Sequence, residues 1–179
     1  MAKVFVGCDI ESTSSGKPPS AQLIQIGVCM KNGDTFVSDI NPGWFRFEEE
    51  ARKVNGFTDE RVRAAPPASY VDEALFKWLS ERGATAHSIR IVGFNCGGFD
   101  SPFVEYYLPR TFALFSYQSV DLNATIFSIS EALGLDFKKI KDAAKQYAAN
   151  PHPHDAGEDA KEALRCWTYL QQLISTKNT

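Results

Sequence analysis

Four carboxylates and one histidine are the residues of this chain best suited to chemistry. They are Asp9, Glu11, Asp100, His154 and Asp159. Each carboxylate lies in a stretch whose apolar character predicts burial, and an unpaired buried charge has a high free-energy cost. Acids in such places need a cation to bring them together. A pair of divalent metal ions is the simplest candidate.

The first two acids lie on a predicted strand. Residues 3–11 alternate between two faces, with Val4, Val6, Cys8 and Ile10 on one and Phe5, Gly7, Asp9 and Glu11 on the other. Asp9 and Glu11 therefore leave the same face about 7 Å apart, and both carboxylates can reach one ion. The alternative is an exposed strand end with two solvated acids. The preceding apolar run favours the metal site, as does Gly7, which we expect to leave open space on the acidic face.

The third acid has a strong structural alternative. Asp100 ends the segment FNCGGFD, after a predicted buried strand and at or just before the start of a helix. A carboxylate in that place gains from free amide groups and from the helix dipole. For Asp100 alone, helix capping is the better interpretation, and only its combination with the other acids favours a ligand role.

The fourth acid lies on the inner face of a predicted C-terminal helix. Asp159 shares one stripe, at three- and four-residue spacing, with Ala163, Cys166, Trp167, Leu170 and Ile174. The charged residues that fall largely off that stripe are Glu158, Lys161, Glu162 and Arg165. The pattern predicts that Asp159 points inward. Asp155 and Glu158 resemble a capping box at the start of this helix.

His154 precedes Asp159 by five residues, a spacing that in a continuous helix separates two side chains by about 140°. Pro151 and Pro153 disfavour a helix upstream, so we predict that His154 lies in the preceding loop. Helical side chains lean toward the N-terminus, which tilts Asp159 back toward that loop. A histidine beside a metal site can accept a proton from metal-bound water near neutral pH.

An α/β scaffold can position these residues. Three antiparallel strands open the chain, with a hairpin turn at Asn32-Gly33, and later strands alternate with helices. We predict a single domain over residues 1–179 with a mixed five-stranded sheet, three antiparallel strands and then parallel strands, flanked by helices. The predicted strands cover residues 3–11, 21–30, 34–40, 89–95 and 118–122, and the predicted helices cover residues 47–56, 69–83, 101–108, 123–134, 135–148 and 155–174.

Composition narrows the class of protein. Hydrophobic residues make up 44% and charged residues 23%, which is typical of a globular domain. No run approaches the roughly 18 apolar residues of a membrane helix, and Asp9 and Glu11 interrupt the opening segment, unlike a signal peptide. The four cysteines lack metal-type spacing, which predicts reduced, partly buried thiols and a cytoplasmic or other intracellular location. A net charge of −3 argues against coating long nucleic acids and favours a grip on a short end.

Three segments in order, GCDIESTSSG, FNCGGFD and HDAGED, resemble the motifs of the DEDDh 3′–5′ exonucleases, the DnaQ-like group with an RNase H-like fold. The shared pattern is Asp-x-Glu, then Asn-x-x-x-Phe-Asp, then His followed by four residues and Asp. LIQIG and NPGWFRFEEEARKVNGFT extend the resemblance to about residues 3–170. The chain departs from the family pattern at Asn55, where histidine is common, and at Gly98, where a bulkier residue is common.

The resemblance implies a role for each site residue. Asp9, Glu11, Asp100 and Asp159 would hold two Mg²⁺ ions, for which Mn²⁺ can substitute, and His154 would be the general base. Thr13 matches a position near the terminal 3′-hydroxyl, and Asn95 of the middle motif would be a further substrate contact. Phe57 and Phe99 would pack either on terminal nucleotides or in the core.

The resemblance implies an enzyme that releases nucleoside 5′-monophosphates from a free, single-stranded 3′ end, with DNA somewhat favoured over RNA, as in proofreading or repair. The alternatives are an RNA-trimming exoribonuclease, an RNase H-type endonuclease and a non-catalytic nucleic-acid-binding domain on the same fold. A homodimer, or a polymerase or repair partner, is compatible with the size and charge. Lys138, Lys141 and Lys145 share one helix face, for which solvation is favoured over phosphate contact.

Overall fold

The sheet has the mixed five-stranded form predicted from the sequence. The computed structural model describes residues 3–150 and 154–177, so Pro151 and Pro153 lie outside the described residues. The strand order is β3-β2-β1-β4-β5. The pairs β1–β2 and β2–β3 are antiparallel, and the pairs β1–β4 and β4–β5 are parallel. The strands are β1 (Val4–Ser12), β2 (Leu23–Met30), β3 (Thr35–Asp39), β4 (Ile89–Gly93) and β5 (Val120–Asp121).

Helices cover both faces of the sheet. Those formed by the described residues are α1 (Glu49–Asn55), α2 (Asp59–Ala64), α3 (Ala68–Glu81), α4 (Asp100–Tyr107), α5 (Pro109–Phe112), α6 (Leu122–Leu133), α7 (Phe137–Ala148) and α8 (Ala156–Lys177). None of these helices has the length and the apolar character needed to cross a bilayer.

Three short elements differ from the sequence-based prediction. Helix α2, which the sequence did not predict, begins at a Thr58 cap whose hydroxyl accepts a hydrogen bond from the Arg61 amide. The four-residue α5, also not predicted, begins at Pro109, which is preset for a first helical turn. Strand β5 has only two residues because the Asp121 carboxylate already caps α6 by accepting from the amide of Asn123.

The core forms two main layers, one on each side of the sheet. Val6, Cys8 and Ile10 of β1 belong to a cluster that includes apolar residues of α3 and α4. Phe5, from the alternate set of β1, packs against the cluster formed by α6, α7 and α8. Alternate side chains of β1 therefore contribute to the two core layers in turn. The side chains of Asp9 and Glu11 lie on the face that α8 covers.

The backbone of helix α8 packs directly against the backbone of β1 and β2. A Cβ built on Gly7 would lie 2.0 Å from the carbonyl oxygen of Ala160, and one built on Gly27 would lie 2.0 Å from that of Ala156. The prediction that Gly7 leaves open space on the acidic face is therefore wrong, because the backbone of α8 fills that space. Ile174, predicted on the inward stripe of this helix, is 43% exposed, because the C-terminal end of α8 extends beyond the sheet.

Candidate active site

The carboxylates of the first motif leave β1 on the side where α8 begins. Asp9 pairs with Gly27 and Glu11 with Gln25 in the antiparallel ladder to β2. Asp9 is half-buried and Glu11 is 9% exposed. Neither is a solvated acid at a strand end. Within residues 3–150 and 154–177, the Asp9 carboxylate receives no hydrogen bond and forms no ion pair.

Asp100 is the first residue of α4 and is 4% exposed. Phe99 occupies the N-cap position, so Asp100 is not itself the cap. The backbone amides of Asp100 itself and of Ile10 on β1 favour the ionised form of its carboxylate. The influence of the Ile10 amide places this carboxylate beside β1. The capping interpretation is therefore wrong, because Asp100 follows the cap, while its carboxylate lies on the side of β1 that carries Asp9.

Asp159 lies in the first turn of α8, directly after the turn that contains His154. The Asp155 carboxylate accepts hydrogen bonds from the amides of Gly157 and Glu158 at 3.0 and 3.1 Å, which confirms the Asp155 half of the predicted capping box. Glu158 Oε1 accepts a hydrogen bond from Lys161 at 2.7 Å. His154 lies in the preceding turn, as predicted, with a left-handed φ of 66°. Its amide donates to Asp159 Oδ2 at 2.9 Å. The bond ties the histidine turn to the acid that follows it.

Three of the predicted site residues approach one another closely. One ligand atom each from Glu11, His154 and Asp159 lies within 4.8 Å of the others, a geometry that can hold a metal ion. Asp9 and Asp100 adjoin this group, because the negative charges of Asp100, Asp159 and Glu11 all act on Asp9. Strand β1, helix α4 and helix α8 thus bring four carboxylates and a histidine to one end of the sheet.

Burial and mutual repulsion disfavour the ionised acids. Burial, followed by the charge of Asp159, raises the pKa of Glu11 to about 8. Burial likewise raises the pKa of Asp100 to about 7, although the nearby amides of Asp100 and Ile10 oppose the shift. The pKa values of Asp9 and Asp159 are also raised, with burial as the largest cause in each. A bound cation would reverse this destabilisation.

Two residues of this site were missed in the sequence, and the prediction that one of them, Glu162, lies off the inward stripe of α8 is wrong. Glu162 is 8% exposed and adds its negative charge at both Asp9 and Asp159. The Asn150 amide donates to Asp159 Oδ1 and, at 2.9 Å, to Glu162 Oε2. Lys145 balances part of the charge through an ion pair with Glu162 at 3.2 Å. Glu162 stands one turn after Asp159, and that three-residue spacing was the available signal.

A buried glutamine on β2 positions the end of α8. Gln25, which lies opposite Glu11, accepts a hydrogen bond from the amide of Ala156 at 2.8 Å through Oε1. Its Nε2 donates to Asp39 Oδ1 at 2.9 Å, and Asp39 forms an ion pair with Arg61. The signal in the sequence was a polar residue inside the otherwise apolar run LIQIGV. Because Ala156 is the first residue of α8, Gln25 helps to set the position of Asp159.

Of the four predicted substrate contacts, two are buried in the structure and two are accessible. Phe57 is 1% exposed and packs with Ile24 and Val62, so the structure assigns it to the core and the stacking alternative is wrong. Thr13 is fully buried, and its hydroxyl donates to Gln22 Oε1 and accepts from the Gln22 amide. That pairing gives the Thr13 side chain a structural role, and its contact with a 3′-hydroxyl stays a prediction.

Phe99 and Asn95 remain accessible to a substrate. Phe99 is partly exposed and lines a cleft of about 300 Å³ together with Glu11, Asn55 and Val54. Asn55 donates to the Ser12 carbonyl at 3.1 Å and also hydrogen-bonds Glu11. Asn95 is exposed, with a left-handed φ of 59°, in the turn that leads to Phe99. The cleft therefore opens directly beside a predicted metal ligand.

The thiols near the site are poor metal ligands. Burial raises the pKa of Cys96 to about 12, with a further contribution from Asp100, and burial also raises the pKa of Cys8. Both cysteines are free and buried, and both thiols stay protonated near neutral pH. The donors at this end of the sheet are therefore mainly carboxylate oxygens, which suit hard divalent cations.

Comparison with known proteins gives a family and a fold. The model of a family described as the 3′–5′ exoribonuclease Rv2179c-like domain matches residues 4–171. No curated protein matches the chain.

Several solved nucleases are similar in structure. The cell-death related nuclease 4 (CRN-4) has a TM-score of 0.68 at 15% identity, with 98% of this chain and 64% of that one covered. A 3′-exonuclease that recognises the histone mRNA stem-loop has a TM-score of 0.66 at 16% identity, with 96% and 64% covered. E. coli exonuclease I, solved with a dA16 oligonucleotide, has a TM-score of 0.66 at 16% identity, with 96% and 42% covered. The chain thus spans less than two thirds of each of these three neighbours, and the likeness establishes a DnaQ-like fold.

Proposed function

The chain belongs to the 3′–5′ exoribonuclease Rv2179c-like domain family, and from that membership we propose that it hydrolyses RNA from the 3′ end. Each cycle breaks the bond between phosphorus and the 3′ oxygen of the penultimate nucleotide and releases one nucleoside 5′-monophosphate. The observation that carries the proposal is the meeting of Glu11, His154 and Asp159 beside Asp9 and Asp100. We propose that residues 1–179 form one exonuclease domain.

The donor set fits two divalent cations. Asp9, Glu11, Asp100 and Asp159 would hold two Mg²⁺ ions, with Mn²⁺ as a substitute, because hard cations prefer carboxylate oxygens. The unpartnered carboxylate of Asp9 and the raised pKa values of its neighbours support this fit. When bound, the ions would activate a water molecule and stabilise the charge on the leaving oxygen.

His154 is the proposed general base. A ring nitrogen of His154 lies within 4.8 Å of a carboxylate oxygen of Glu11 and of one of Asp159, and the side chain is exposed, so a water molecule can reach it. The imidazole accepts the proton as the water oxygen attacks phosphorus. The bond from the His154 amide to Asp159 holds the turn in place without using the ring. The leaving 3′ oxygen takes up a proton and becomes the new end of the chain.

The cleft beside Glu11 is the proposed binding site of the terminal nucleotide. Phe99 and Val54 give it an apolar wall against which a base can stack, and Asn95 adds a polar group at the adjacent turn. Asn55 stands where many DEDDh enzymes have histidine, and its bonds to Ser12 and Glu11 support the floor of the cleft.

RNA is the proposed substrate although the sequence alone slightly favoured DNA. The description of the matching family is that of an exoribonuclease. The neighbours do not discriminate, since one recognises a histone mRNA stem-loop and another was solved with a DNA oligonucleotide. A homodimer, a polymerase or repair partner, and an intracellular location stay predictions.

Matched oligonucleotides test this proposal. RNA and DNA of one sequence, each labelled at the 5′ end, are digested with Mg²⁺ or Mn²⁺ both as single strands and with a recessed 3′ end. We expect a ladder that shortens from the 3′ end, faster for single-stranded RNA, with 5′-monophosphates as products. Faster DNA digestion would reject the RNA assignment, cleavage of a circular RNA would indicate an endonuclease, and binding without shortening would indicate a non-catalytic domain.

A further inference from the structure

One face of helix α7 carries positive charge up to the edge of the candidate site. Lys138, Lys141 and Lys145 lie within about 60° of one another around the helix, while Ile140, Ala144 and Ala148 form its buried side. Helix α7 holds four lysines and one aspartate, whereas the whole chain has a net charge of −3. The three lysines of this face are called the α7 track below. Its charge contrasts with that of the acidic site that it approaches.

Two of the three lysines of the α7 track lie over the Phe94 ring, directly after the end of β4. The ammonium groups of Lys141 and Lys145 lie 5.3 and 5.0 Å from the centre of the Phe94 ring. Lys141 also donates to Asn123 Oδ1 at 3.0 Å. Phe94 directly precedes Asn95, so both cations stand beside the middle motif. Two ammonium groups that share one ring repel each other, and a phosphate between them would relieve that repulsion.

The inner end of the α7 track joins the acidic cluster. Lys145 forms an ion pair with Glu162, and Asn150 links Glu162 to Asp159. From Lys145 to Lys138 the helix rises about 10 Å, which matches the backbone of about three nucleotides in one strand of a duplex. Among the described residues, Lys138 forms no ion pair, so its charge is available to a ligand.

We propose that the α7 track binds the phosphate backbone of the substrate on the 5′ side of the bond to be cleaved. This inference rests on the proposed function, because an RNA whose 3′ end lies at the site extends away from it as a polyanion, which a nearby row of cations can neutralise. It reverses the sequence-based preference for a solvated face. The contacts between ammonium groups and phosphates carry no base specificity, so the α7 track sets affinity and substrate length.

The test compares substrates of different length. The double variant Lys138→Ala/Lys141→Ala leaves the Lys145–Glu162 pair intact, and Lys139→Ala, on another face of α7, is the matched control. We expect kcat/KM for a 20-mer RNA to fall several-fold in the double variant, and the loss to shrink for a trinucleotide. The slope of log kcat/KM against log salt should flatten by about 1.4, at roughly 0.7 for each lost phosphate contact. Lys138→Arg/Lys141→Arg should restore both quantities.

Two further measurements separate the possible failures. Fluorescence anisotropy of a 20-mer in EDTA reports binding without hydrolysis, and the double variant should bind it more weakly. Asp142→Asn removes the acid that borders the α7 track and should strengthen binding. An unchanged salt slope, equal losses on the 20-mer and the trinucleotide, or the same loss in Lys139→Ala would overturn the inference. A wild-type protein that binds RNA but shortens none would instead reject the proposed function.

Discussion

The amide of Asn150 lies between two carboxylates, those of Asp159 and Glu162, and donates to both. Such a donor restricts the rotamer of Asp159 and lowers the repulsion between the two acids. Lys145 completes the arrangement from the side of α7. Asp159 is therefore positioned by groups that come before and after it in the chain, in addition to its own place on α8.

Replacing Asn150 tests this positioning role. In Asn150→Ala, Asp159 and Glu162 lose their common donor, and we expect the Mn²⁺ concentration for half-maximal activity to rise about 10- to 100-fold. Saturating Mn²⁺ should restore most of kcat, because the reacting groups are unchanged. Gln146→Ala, an exposed residue of α7, is the control. An unaltered Mn²⁺ requirement would show that Asn150 does not position a ligand.

The role of His154 can be tested by substitution, with His87 as a control because its backbone has a similar left-handed φ. In His154→Asn we expect kcat to fall about 10²–10⁴-fold with Mn²⁺ binding retained, since a general base is lost but the amide bond to Asp159 is kept. Asparagine tolerates the left-handed φ of 66° at this position. His87→Asn, at φ 56°, makes the same change outside the candidate site. Similar kcat values in the two variants would remove His154 from the mechanism.

Helix α8 acts as the rigid element of the site. Gly7 and Gly27 allow its backbone to touch the sheet, and Gln25 bonds to its first amide. The close approach places Asp159 over the strand that carries Asp9 and Glu11. A side chain at either glycine would displace α8, and with it the predicted metal ligand Asp159.

The substitution Gly27→Ala tests the close approach. Its new methyl group would lie 2.0 Å from the Ala156 carbonyl oxygen, so helix and sheet must separate. We expect a loss of about 1–3 kcal/mol in the free energy of unfolding by urea, together with a fall in kcat/KM. Gly16→Ala, where the nearest atom is the Ser14 hydroxyl at 3.3 Å, should change both far less. Wild-type stability in Gly27→Ala would show that α8 does not depend on the contact.

Local patterns predicted the elements better than the contacts between them. The alternation in β1 and the stripe on α8 predicted where Asp9, Glu11 and Asp159 point, because each pattern lies within one element. The bonds of Gln25 and Asn150 join residues of different elements, which no periodicity records. Phe57 shows the converse limit, since an aromatic residue beside a motif has the same pattern whether it stacks on a base or fills the core.

Charge is distributed unevenly over the molecule. Acids gather at the end of β1 and the start of α8, while the lysines of α7 stand beside them. Without a cation, the buried acids hold protons at pH values where the unfolded chain has released them. The metal-free fold is thus sensitive to pH in a range where most exposed carboxylates no longer titrate.

This distribution predicts how stability depends on pH. The pKa of Glu11 is raised to about 8 and that of Asp100 to about 7, against roughly 4 in an unfolded chain. Between these limits the folded state binds more protons, so the free energy of unfolding in EDTA should fall as pH rises from 5 to about 8. Since Mg²⁺ needs ionised carboxylates, it should raise Tm more at pH 8 than at pH 5. A metal-free stability that rises over this range would contradict the expectation.

Asp9→Asn provides the most direct test that the gathered carboxylates act by binding metal. Asparagine keeps the shape of the side chain but removes a charge that Asp100, Asp159 and Glu11 all disfavour. We measure the hydrolysis of a 5′-labelled RNA with Mg²⁺ and, on the same sample, the unfolding free energy in EDTA. We expect hydrolysis to be lost while the free energy of unfolding equals or exceeds that of the wild type. Full hydrolysis by Asp9→Asn would contradict this expectation.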